Sequence, residues 1–135
     1  MTGLVRLVLG IVLGTVLGGL IVFLIEGVSH MIWPPPQGDW TDPEFLKTAF
    51  KTVSLEAKLA VLLAWGMGVF CGAIVARLVG ARHRAAGWAV GGILFAMMVF
   101  TMMTIPHPIW MMVNSVTVTI IGVIGANRLT RRKLA

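Results

Sequence analysis

Cysteine occurs once in this chain, and aspartate and glutamate together only five times among 135 residues. A lone cysteine excludes an intramolecular disulfide and a thiol redox pair. Cys71 falls in the middle of an apolar run and reads as a small buried hydrophobe. No glycine-rich phosphate loop is present, because the glycines lie inside apolar stretches. A nucleophile with its base is missing too, since Ser29 and His30 are neighbours in sequence and cannot face each other on a helix. Charged residues of either sign make up only 12% of the chain, against 58% hydrophobic ones, which removes it from the soluble globular class.

What is present is apolar length. The mean hydropathy is +0.94, and a transmembrane helix needs about 20 consecutive, mostly apolar residues. Four stretches meet that length: Leu4 to Glu26, continuing to about Trp33; Ala57–Val79; Ala86–Ile105; and Ile109–Ala126. Together with an outer loop and short helix over 34–55 they fill residues 1–135 as one four-helix transmembrane domain, which predicts an all-α, up-and-down bundle. The first run is about 22 residues of Leu4–Ile25 without an Ala-x-Ala site before Pro34, so it is expected to be retained rather than cleaved.

The net charge of +6 is divided by position. Arg6, Arg77, Arg82, Arg84, Arg128, Arg131, Arg132 and Lys133 all flank one side of the predicted spans, whereas Glu26, Asp39, Asp42, Glu44 and Glu56 fall on the other with Lys47, Lys51 and Lys58. By the positive-inside rule this predicts a multi-pass protein of a bacterial inner membrane with both termini cytoplasmic. The cations sit where topology requires them, so nucleic acid is not an expected partner; the lipid bilayer is.

The chain is organised around Glu26-Gly27-Val28-Ser29-His30-Met31-Ile32-Trp33-Pro34-Pro35-Pro36. Glu26, His30 and Trp33 stand at i, i+4 and i+7, so one helix face carries a carboxylate, an imidazole and an indole. Three prolines remove three backbone donors and stop the helix at or before Trp33. Counting about 1.5 Å per residue from Leu7, a hydrocarbon core of about 30 Å ends near Glu26. Farther on, Asp42 and Pro43 form a helix start, and Phe45, Leu46, Ala49, Phe50 and Val53 share one side of a short interfacial helix. That helix either covers the Glu26–His30 face or carries the chain to the next span.

Small residues supply the packing signal. Gly10, Gly14 and Gly18 form two overlapping G-x-x-x-G units, Gly68 and Gly72 with Ala64 and Ala76 repeat the pattern in the second span, and Gly87 and Gly91 do so in the third. Arg77 is expected to end the second span by snorkelling to the cytoplasmic surface. His107 in the last tight turn falls on the side of Glu26 and His30, and Asn114, about two turns into the fourth span, is expected to face the bundle because an unpaired amide costs free energy in lipid. Glu26, His30, His107 and Asn114 therefore form the candidate polar cluster. Glu26, His30 and His107 could hold a divalent metal, and Met31, Met102, Met103, Met111 and Met112 beside the histidines could hold Cu(I), although the expectation is no cofactor. Without an acid deep in any other span, a proton path inward has to use water, Thr15 or a subunit interface.

The run from Ile25 to Pro36 resembles small four-helix bacterial inner-membrane proteins with a Glu-x3-His-x3-Pro-Pro-Pro end to the first helix. The resemblance covers that motif and the hydropathy profile, and it implies no activity. In size the chain is also similar to small multidrug transporters, but those keep their essential glutamate well inside the first span, whereas Glu26 is at its edge. Much packing surface and little convergent chemistry favour an accessory or assembly subunit of a larger or homo-oligomeric membrane complex rather than an enzyme. The alternative is a small transporter or an ion-binding or metal-binding protein using the Glu/His cluster, with a membrane enzyme third.

Overall fold

Five helices follow from the caps and breakers in the sequence, and the computed structural model describes residues 2–81 and 83–134. Helix α1 spans Gly3–Ile32, started by the Thr2 hydroxyl accepting from the Val5 amide at 3.3 Å and closed by the Trp33 amide on the Ser29 carbonyl at 2.7 Å, just before the prolines. Helix α2 spans Pro43–Thr52, with the Asp42 carboxylate accepting from the Glu44 amide at 3.0 Å. Helix α3 spans Leu55–Val79 and is capped by the Ser54 hydroxyl, which accepts from the Ala57 amide at 3.2 Å. Helices α4 and α5 span Arg84–Thr104 and Ile109–Leu134. All but α2 are long and apolar enough to cross a membrane, so the protein is an all-α, four-span bundle carrying one short additional helix.

Helix α5 runs well past Ala126, where the apolar run was expected to end. Hydropathy marks where lipid contact stops, not where the helix stops. Leucine and arginine are good helix formers, and cations near a helix C-terminus complement its dipole, so the basic segment continues the same helix.

Helix α3 lies at the centre, packed against α1, α4 and α5; α4 also meets α5 and α1, whereas α1 and α5 do not touch among the described residues. The α1–α3 approach is close because both faces are nearly bare. A Cβ placed on Gly10 would lie 2.5 Å from the Ala76 carbonyl oxygen, one on Gly14 would collide with the Gly72 carbonyl oxygen, and one on Gly18 would lie 2.7 Å from that of Gly68. In lipid, where neighbouring tails are as apolar as leucine, such backbone proximity is what holds helices together. Gly80 belongs to the same seam, since a Cβ on Gly10 would also be 2.7 Å from its amide nitrogen. The left-handed residue of the α3–α4 turn is instead Ala81, at φ 53°.

At the end of the bundle that carries the chain termini, Arg77 corrects the expectation of snorkelling. It is 4% exposed, and its Nη1 donates to the Asn127 carbonyl at 2.6 Å and to Asn127 Oδ1 at 3.2 Å. An inward carbonyl and side-chain amide on α5 give the guanidinium acceptors within the protein, so it has no need to reach headgroups. The opposite, distal end of the bundle holds residues 33–54 and 105–108.

Candidate functional site

The distal end is hollow. A cavity of about 770 Å³ opens there between α1, α3 and α4, roofed by the segment from Trp33 through Ser54. The close glycine contacts of the α1–α3 seam run as far as Gly18 and Gly68, and beyond them the larger side chains of Val22, Glu26 and Trp65 occupy the two helices. Most of the wall is apolar or aromatic, with Trp33, Trp40, Phe50 and Trp65 contributing rings and Met98 and Met102 thioethers.

Glu26 is the carboxylate of this cavity. It is partly buried, and its Oε1 accepts a hydrogen bond from Trp65 Nε1 at 3.1 Å, joining α1 to α3. Trp65 itself is 8% exposed. His30, one turn beyond Glu26, lies at the exposed rim. His107 enters from the α4–α5 turn, its Nδ1 2.6 Å from the Ile105 carbonyl and its ring 4.4 Å from that of Phe50 on α2. Burial holds the His107 imidazole below its ordinary value; nearby Lys58 adds to that effect, and the bond to Ile105 opposes it. Lys58 also lines the wall, its ammonium 5.3 Å from the centre of the Phe50 ring, a cation–π contact.

Glu26, His30 and His107 thus line one cavity, but they do not converge on a point. Among the described residues no group of three His, Cys, Asp or Glu side chains could hold a metal ion. Glu26 is hydrogen-bonded to Trp65, His107 lies against Ile105 and Phe50, and His30 is exposed, so the three do not form a ligand set. The methionines do not assemble either. Met31 and Met103 are 83% and 82% exposed, Met111 is buried in the bundle, and Met102 alone of that set lines the cavity. Adjacent helix positions point apart, which separates Met102 from Met103.

Asn114 lies outside the cluster as well. It is exposed, and its Nδ2 donates to the Trp110 carbonyl of its own helix at 2.8 Å. That bond one turn back satisfies the amide and removes the reason for it to face the bundle. Helix α2 carries the chain across to α3 and places Phe50 and Thr52 in the cavity wall.

Trp65 and Lys58 escaped the sequence reading. Their signal was available: Lys58, Val61, Leu62 and Trp65 stand at i, i+3, i+4 and i+7, one face at the distal end of α3. Matching the two glycine seams in antiparallel register sets that face level with Glu26. No protein family, curated protein or solved structure matches this chain.

Proposed function

We propose that this chain is a small multi-pass membrane protein that binds an amphipathic small molecule in its distal cavity, as a small transporter or as the binding subunit of one. The observation that carries the reading is the Glu26 carboxylate set in a largely aromatic and apolar hollow of about 770 Å³, a size that suits a drug-sized ligand. Apolar walls with a few placed polar groups are the usual make-up of a ligand site. The bacterial inner membrane, with the arginine-rich end cytoplasmic and the cavity facing outward, belongs to the same proposal and rests on the charge distribution. A shallow groove of about 390 Å³ on the outer face of α4, lined by Ala96, Met97 and Phe100, shares Trp65 and Thr101 with the cavity, which supports entry from the lipid side.

The test is saturable binding of a neutral apolar fluorophore, N-phenyl-1-naphthylamine, to the protein in nanodiscs, with empty nanodiscs subtracted. Filling the hollow with Val61→Trp is expected to abolish the saturable component. Equal binding by wild type and a folded Val61→Trp variant would overturn the reading.

A second reading, the accessory subunit of a larger or homo-oligomeric complex, draws on a different feature. Gly10, Gly14 and Gly18 are occupied by α3, but Gly19 and Gly27 on α1 have nothing within 4 Å and leave room for a partner helix. Gly19→Leu should then reduce the native mass of the complex while the naphthylamine signal is retained.

A further inference from the structure

The cavity wall carries one acidic and one basic side chain, Glu26 and Lys58, that form no ion pair with each other. Among the described residues the one ion pair within 4.0 Å is Lys47–Glu44 on the exposed face of α2. Glu26 instead takes the Trp65 indole, and Lys58 lies over the Phe50 ring. A pure cation entering the hollow would meet Lys58, and a pure anion would meet Glu26. A ligand with one charge of each sign satisfies both and matches the balanced charge of the wall.

The order and spacing of the two charges are set by α3. Lys58 precedes Trp65 by seven residues on the same helix face, which at 1.5 Å per residue places it about 10 Å nearer the distal rim. By this register the carboxylate bonded to Trp65 belongs to the deeper level of the cavity and Lys58 to the level nearer the rim. A phospholipid headgroup has the reverse order, with its ammonium outermost and its phosphate nearer the tails. A chain of three residues in extended form spans about 10 Å. Ser29 and Thr101 also line the cavity, and Val61 and Leu62 add apolar surface.

Resting on the ligand-binding reading above, we infer that the occupant is a small zwitterion with an apolar body, its ammonium seated at Glu26 and its acid group at Lys58, with the dimensions of an apolar tripeptide with free ends. Trileucine is the probe. Titrated calorimetrically into wild-type protein in nanodiscs, it is expected to bind at least tenfold more tightly than its N-acetylated form, its C-terminal amide, dileucine or pentaleucine. Glu26→Gln should abolish discrimination against the N-acetylated form only, and Lys58→Met discrimination against the amide only. End-blocked or length-altered peptides that bind as tightly as trileucine would overturn the inference, and that series needs no variant to fold. Retained naphthylamine binding alongside that result would leave the cavity reading standing, whereas loss of both would remove the cavity reading as well.

Discussion

Trp65 donates its indole N–H to the Glu26 carboxylate at 3.1 Å, across the interface of two helices and 39 residues of chain. Among the described residues it is the one side-chain hydrogen bond that ties α1 to α3 at the cavity, and the carboxylate it serves is partly buried. Trp65→Phe keeps most of the apolar volume and deletes the donor, so the stability of the folded bundle in detergent should fall by about 1–3 kcal/mol. Glu26→Gln retains an acceptor oxygen and should cost less. Thermal unfolding followed by circular dichroism checks both, and the double variant should lose less than the sum of the two, since one bond is shared.

Gly14 and Gly27 lie on the same helix and should respond oppositely to alanine. A Cβ on Gly14 would collide with the Gly72 carbonyl oxygen and lie 2.8 Å from the Ala76 side chain, whereas a Cβ on Gly27 meets nothing within 4 Å. Gly14→Ala has to push α1 away from α3 and is expected to cost about 1–3 kcal/mol. Gly27→Ala should be neutral or stabilise by up to about 1 kcal/mol, through helix propensity alone. Unfolding in sodium dodecyl sulfate of the two variants side by side measures the difference, and equal losses would show that the α1–α3 contact is looser than the glycine geometry implies.

The bundle was legible in the sequence because its determinants are local or periodic. Thr2, Asp42 and Ser54 cap the helices they precede, the prolines after Trp33 end α1, and the glycine spacing marks the packed face of α1. The cavity was only half legible. Glu26, His30 and His107 share a wall as their position along the chain suggests, but where each side chain points depends on partners that are distant in sequence. Trp65 lies 39 residues from Glu26, and finding it requires the register of α1 against α3. Asn114 and Arg77 show the converse. A polar residue inside a span was expected to seek the bundle or the surface, yet the Asn114 amide is satisfied one turn back on its own helix, and Arg77 finds two acceptors on a single residue of α5.

Arg77, Asn127 and Gly87 form a three-helix contact whose parts should be strongly coupled. Arg77 Nη1 donates to two oxygens of Asn127, and a Cβ on Gly87 would sit 2.8 Å from Asn127 Oδ1. Gly87→Ala alone therefore presses on the amide that holds the guanidinium. Asn127→Ala keeps the carbonyl acceptor at 2.6 Å and should cost only about 1 kcal/mol. In that background Gly87→Ala loses its clash and should be tolerated. A double-variant cycle by thermal unfolding is expected to give a coupling of about 1 kcal/mol or more, and strict additivity would mean that α4 and α5 adjust independently of the Arg77 contact.

His107 should make the distal end sensitive to acid. Its ring is partly buried against Phe50, with Lys58 nearby, and both surroundings disfavour the imidazolium, so the folded protein binds this proton less readily than the unfolded chain does. The folded value is depressed below the ordinary 6.5, so the stability contributed by the neutral ring is complete above about pH 6.5 and declines as the pH falls through the lowered folded value. Protonation would set a like charge beside Lys58 in a partly buried position. The thermal midpoint in detergent should therefore fall between pH 7 and pH 5 by more in wild type than in His107→Gln, which cannot titrate at this position. Every other ionisable group is common to the two proteins, and the comparison cancels them. Identical pH slopes would mean that the His107 proton is taken up without disturbing the contact to α2.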